Sequence, residues 1–132
     1  MSKKILMVDD DVDIIEQYRP ALEMAGYMVE VGHDSVEGFE KFKEFQPDVV
    51  FVDLAMEHFD SGFVLCHRIK STEEGKKTPV YILTSAGHET GYRFSTDTSE
   101  EKRWIKADGY LEKPIPAADL IQFLKEKVFK AE

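Results

Sequence analysis

Cysteine is nearly absent from this chain: Cys66 stands alone, so no disulfide can form within it, and its thiol reads as a small packing residue. Long apolar runs are missing as well. No stretch reaches the ~18 residues needed to cross a membrane, and the apolar part of "MSKKILMVDD" is too short for a signal peptide. A reducing cytoplasm is therefore the expected location. Basic charge is in deficit, with 17 Lys and Arg against 26 Asp and Glu and a net charge of −9. That balance opposes non-specific binding to nucleic acid or to anionic membrane, so neither is expected as a partner; cations and basic protein surfaces are. Histidine is scarce and dispersed. His33, His58, His67 and His88 fall on different segments, which argues against a transition-metal centre.

What the chain does have is apolar mass. At 42% hydrophobic and 11% aromatic over 132 residues it can bury the core of one ordinary domain, and residues 1–132 are expected to form a single unit. Three short runs, Ile5 to Val8, Val49 to Val52 and Val80 to Leu83, are apolar without polar alternation, as in strands covered on both faces of a parallel sheet. Met28 to Val31 and Gly109 to Leu111 complete a set of five strands.

Helical spacing fills the intervals. Val12 to Ala25 places Ile15, Tyr18, Leu22 and Ala25 on one side and stops at Gly26, with Asp11 as cap and Asp13 in the first turn. Pro20 lies inside this helix, where it costs ~3 kcal/mol unless something compensates, and the sequence offers no reason for its tolerance. Ser35 to Phe45, capped by Asp34, is expected to bury Val36, Phe39 and Phe42 or Phe45. A third helix runs from Ser61 or Gly62 to about Ser71 on Phe63, Cys66 and Ile69. The last, near Pro116 to Lys130, stripes Leu120, Ile121, Leu124 and Val128 on one side. Strands alternating with helices imply a parallel sheet between two helical layers, with ligands at the carboxyl ends of the strands.

Those strand ends deliver a particular chemistry. Asp9 and Asp10 follow the first strand, Asp53 the third, Thr84 and Ser85 the fourth, and Lys113-Pro114 the fifth. Three carboxylates repel one another unless a cation sits among them. Oxygen donors without thiolate or imidazole suit a hard ion such as Mg²⁺, often shared with a phosphate, whose other oxygens would meet the hydroxyl and the ammonium. A carboxylate can also serve as the nucleophile, forming an aspartyl-phosphate.

With "ILMVDDD", "VVFVDLAM", "PVYILTSAG" and "DGYLEKPI" in this order, essentially the whole chain resembles the response-regulator receiver domain of two-component signalling. The resemblance implies a flavodoxin-like three-layer α/β sandwich with a five-stranded parallel sheet of order 2-1-3-4-5. It implies Asp53 as phosphoacceptor, with a histidine kinase or histidine phosphotransfer domain as donor. Asp10, Asp53 and the Ala55 carbonyl would hold Mg²⁺, or Mn²⁺ in its place, with Asp9 acting through water. Thr84 and Lys113 would meet phosphoryl oxygens, Thr84 and Tyr110 would form the activation switch, and Pro114 falls where the family often has a cis bond. The expected protein is a stand-alone response regulator that signals through an unidentified partner protein. It is not expected to be an enzyme beyond self-catalysed phosphotransfer and slow loss of the phosphoryl group.

The chain also departs from the family pattern. Glu57 takes the place of the usual proline after Met56, and Gly62 comes one residue late. Ala55 and Ala86 stand where side chains often orient a hydrolytic water, hence the slow dephosphorylation. Thr84 and Lys113 are 29 positions apart, and 87–103 is polar without a helical stripe. The fourth helix is therefore expected to be short or irregular, near Ser99 to Ile105, with Trp104 as its anchor. The alternative is a small aspartyl-phosphate phosphohydrolase of haloacid-dehalogenase type, whose paired acids Asp9 and Asp11 mimic, although Asp13 breaks the pattern. A flavin mononucleotide binder is disfavoured, because four aspartates after the first strand would repel its phosphate.

Overall fold

The uninterrupted apolar runs become the inner strands of one parallel sheet in the computed structural model, which describes residues 3–53, 61–85, 108–113 and 115–129. The elements are β1 (Lys4–Val8), α1 (Val12–Met24), β2 (Met28–Gly32), α2 (Ser35–Phe45), β3 (Val49–Asp53), α3 (Ser61–Lys70), a short α4 (Glu73–Lys77), β4 (Val80–Ser85), β5 (Gly109–Lys113) and α5 (Ala117–Phe123). The sheet order is β2-β1-β3-β4-β5, with every pairing parallel.

Alternation along β1 divides the core in two. Ile5 and Met7 face α1 and α5 and pack with Ile15, Tyr18, Leu22, Leu120 and Leu124. Leu6 and Val8 face α2 and α3 and pack with Phe42, Leu65, Cys66 and Ile69. This is the expected three-layer sandwich. Cys66 is fully buried, and burial pushes its thiol pKa up to about 12, so it stays protonated and inert near neutral pH.

The strand cores lie where the apolar runs predict, but the strands continue further. Asp53 belongs to β3, Thr84 and Ser85 to β4, and Glu112 and Lys113 to β5. Backbone ladders accept polar residues as readily as apolar ones, so hydropathy stops the strands too early.

Helix α1 begins with Asp11 accepting from the Asp13 N–H at 2.9 Å. It ends in a left-handed turn at Gly26, where the Tyr27 N–H reaches back to the Leu22 carbonyl. Ala25 is exposed at the cap rather than buried with the stripe. Pro20 is exposed too, so the Glu16 carbonyl it leaves without an amide donor lies on a face open to water.

Helix α2 corrects one expectation. Val36 is 59% exposed, and the inward positions are Gly38 and Phe42. A Cβ on Gly38 would stand 2.9 Å from the Val8 side chain, so the helix backbone itself packs against β1 there. Asp34 caps α2 by accepting from the Glu37 N–H. The Glu37 carboxylate accepts from the His33 N–H, and this bond and its contact with the His33 ring hold its pKa below the usual value.

Strand β2 is an outer strand of the sheet. Its Met28 N–H donates inward to the Lys3 carbonyl, and alternate amides point outward. One of these, Val31 N–H, donates to the carboxylate of its own neighbour Glu30, which lies 3.9 Å from the Lys41 ammonium on α2.

Two elements escape hydropathy. Helix α4 is nucleated by Thr72, whose hydroxyl accepts from the Gly75 N–H. At the carboxyl end of α5 the chain widens into a π-turn over Leu124–Val128, closed by the Phe129 N–H on the Leu124 carbonyl. There the Phe129 ring packs against Tyr27 with the Lys3 ammonium over it.

Candidate functional site

The register brings Asp9 beside Asp53. Val8 pairs with Val52, so the next residue of each chain segment leaves the carboxyl edge of β1 and β3 side by side. Asp9 is anchored by its N–H, which donates to the Gly32 carbonyl at 3.0 Å, and by its carboxylate, which accepts from the Asp11 N–H at 2.9 Å. Asp10 is exposed to solvent, whereas Asp9 and Asp53 are buried. Asp9, Asp10 and Asp53 offer one carboxylate oxygen each within 4.8 Å of one another. Two anions withdrawn from water beside a third need a compensating cation, and an oxygen-only donor set with one open side fits a hard divalent ion that keeps part of its hydration shell.

The other predicted residues gather by strand register. Asp53 pairs with Leu83, which places Thr84 one residue further along the same edge, and Ser85 pairs with Lys113 at the end of β5. Tyr110 lies opposite Ile82, partly buried, and packs on the α2–α3 side of the sheet. Ala55, Met56, Glu57, Ala86, Pro114 and the expected fourth helix with Trp104 lie outside the described residues. Asp11, the second acid that the phosphohydrolase alternative needs in the site, is used instead as the cap of α1.

Comparison with known proteins settles the family. The model of the response regulator receiver domain matches residues 5–125. The chain belongs to that family. Response regulator MprA of Mycobacterium ulcerans is 34% identical over 121 residues, 92% of this chain and 48% of that protein. Its counterpart in Mycobacterium avium is 32% identical over 118 residues, 89% of this chain and 47% of that protein. The chain thus spans about half the length of these relatives. Among solved structures, chemotaxis response regulator CheY4 of Vibrio cholerae superimposes with a TM-score of 0.79 at 28% identity, covering 96% of this chain and 98% of that one. A CheY-like receiver domain protein from Methanospirillum hungatei gives 0.77 at 28% identity, covering 98% and 96%.

Receiver domains are signalling phosphoacceptors of two-component systems, take the phosphoryl group from histidine kinases, and bind Mg²⁺ at an acidic site. This receiver has an acidic cluster, Asp9, Asp10 and Asp53, at the carboxyl edge of its sheet. Among the described residues no helix is long and apolar enough to cross a membrane.

Two contacts of this receiver were not named from its sequence, although the burial of Tyr18 was expected. Lys70 is a buried lysine whose ammonium contacts Asp108 at 2.8 Å and donates to the Thr78 carbonyl at 2.5 Å. Tyr18 is buried on α1, and its hydroxyl donates to the Ile115 carbonyl at 2.6 Å. The signal for Tyr18 was its phenol, a polar tip on an otherwise apolar stripe that must find a partner when buried.

Proposed function

We propose that this receiver accepts a phosphoryl group on Asp53 from the phosphohistidine of a kinase or phosphotransfer domain. The observation that carries this reading is the convergence of Asp9, Asp10 and Asp53 within 4.8 Å at the carboxyl edge of a parallel sheet. An Asp53 carboxylate oxygen attacks phosphorus, the P–N bond breaks, and the imidazole leaves with that electron pair while an acyl phosphate forms. Asp10 and Asp53, with Asp9 through water and the Ala55 carbonyl that the family resemblance adds, would hold Mg²⁺, which supplies charge neutralisation when bound; Mn²⁺ can replace it. Thr84 and Lys113 take the remaining phosphoryl oxygens, and Thr84 with Tyr110 couples the modification to the surface. The signal leaves through a partner protein in the cytoplasm, with no nucleic acid or membrane contacted directly, and the phosphoryl group is lost slowly.

The test is intact-mass measurement after incubation with acetyl phosphate and Mg²⁺. One phosphoryl increment is expected, absent when EDTA is present and removed by hydroxylamine, as an acyl phosphate requires. No increment sinks the reading.

The four neighbouring aspartates should also separate by role. Asp10→Ala is expected to weaken Mg²⁺ binding, followed by calorimetric titration, by more than about tenfold. Asp11→Ala should keep Mg²⁺ affinity and lose about 1 kcal/mol of stability in a denaturant melt, because it loses only the cap of α1.

A further inference from the structure

Tyr18 ties together two parts of the chain that the proposed chemistry needs at a fixed separation. Helix α1 is fastened at its start to the acidic cluster, through the Asp11 N–H on the Asp9 carboxylate. Two turns later Tyr18, only 1% exposed, donates its hydroxyl proton to the Ile115 carbonyl at 2.6 Å. Ile115 lies two residues beyond Lys113, the last residue of β5, and packs on the same core cluster as Tyr18. Ile115 is thus held by a short, part-buried bond to the helix whose cap residue is held by Asp9.

We propose that Tyr18 is a positioning residue for phosphoryl transfer, fixing the segment after Lys113 so that its ammonium is set relative to Asp53. The proposal rests on the phosphoacceptor reading above and assigns Tyr18 no contact with the phosphoryl group. Catalysis by charge placement is sensitive to displacements well under a residue's length. A buried phenol with an aliphatic stripe on either side, Ile15 and Leu22, is a stiff support for such a segment. The alternative account is that the bond only satisfies a partly buried carbonyl, in which case its loss would affect stability alone.

Tyr18→Phe separates the accounts because it keeps the ring and removes the hydroxyl. Acetyl phosphate kinetics at saturating Mg²⁺ are compared for wild type, Tyr18→Phe, Lys113→Ala and the double variant, alongside Mg²⁺ titrations. The proposal expects Tyr18→Phe to slow phosphorylation about five- to tenfold with Mg²⁺ affinity within about twofold of wild type. In the Lys113→Ala background the same change should have less than about a twofold effect, because the group being positioned is gone. An unchanged rate in Tyr18→Phe overturns the proposal. So does an equal slowing in the Lys113→Ala background, or a parallel fall in Mg²⁺ affinity, either of which marks general loosening. Wild-type protein that takes up no phosphoryl group overturns the phosphoacceptor reading first and this proposal with it, an outcome visible before any variant is compared.

Discussion

Asp53→Asn protein incubated with acetyl phosphate and Mg²⁺ is expected to carry no phosphoryl group at any time at which wild type is fully modified. The amide has nearly the carboxylate's shape but lacks the anionic oxygen that attacks phosphorus, so the loss is of chemistry and not of volume. Asp53 ends β3 in register with Leu83 and is 8% exposed, with its backbone held in the ladder whichever side chain it carries. The variant should therefore melt within about 1 kcal/mol of wild type without metal. Its Mg²⁺ affinity should fall, since one of three charged donors has become neutral. A modified Asp53→Asn protein, with the group mapped to Asp9 or Asp10, would move the acceptor to another carboxylate of the cluster.

Asp108→Ala should be the most destabilising single change at the opposite edge of the sheet. Asp108 precedes β5; its carboxylate sits 2.8 Å from the Lys70 ammonium and accepts from the Val80 N–H at 2.7 Å. The Lys70 side chain is 10% exposed, so removing Asp108 leaves a buried cation with the Thr78 carbonyl as its remaining described partner and strips a strand amide of its acceptor. Breaking a fully buried pair costs about 3–5 kcal/mol. The Asp108 side chain is 41% exposed, and water screens its half of the pair, so about 2–4 kcal/mol in urea unfolding is the expected loss. Lys70→Met combined with Asp108→Asn should recover most of it, since the buried charge is gone and the amide still accepts from Val80. A loss under about 0.5 kcal/mol in Asp108→Ala would show that the ammonium finds solvent when unpaired. Mg²⁺ binding by the folded protein should not change, because the acidic cluster lies at the far ends of the strands.

The two ends of the sheet differ in how far the sequence betrays them. Asp9 and Asp53 directly follow apolar runs and Asp10 comes next, so parallel strands put them at one edge, and the strand order makes β1 and β3 neighbours and brings Thr84 and Lys113 to that edge. Lys70 and Asp108 belong to no periodic pattern. Lysine at a helix end reads as solvated, and only the approach of Thr78 and Asp108, just before β4 and β5, encloses it. Gly38 shows the same limit. A stripe assigned by side-chain size selects Val36, whereas the closest approach of α2 to β1 needs the residue with no side chain. Pro20 becomes intelligible only once its face of α1 is known to meet water.

Glu30 gives the outer strand a property that matters when many copies share a small volume. An unpaired strand invites another chain to extend the sheet, and hydrogen-bonding groups left vacant along it are the template. On β2 the Val31 amide is already taken by the carboxylate beside it, with Lys41 close enough to hold that carboxylate near the helix. A strand arriving from a second copy would have to displace an anion to bond that amide, and would bring an identical anion with it. This contact guards the β2 edge against sheet extension by further copies at high concentration.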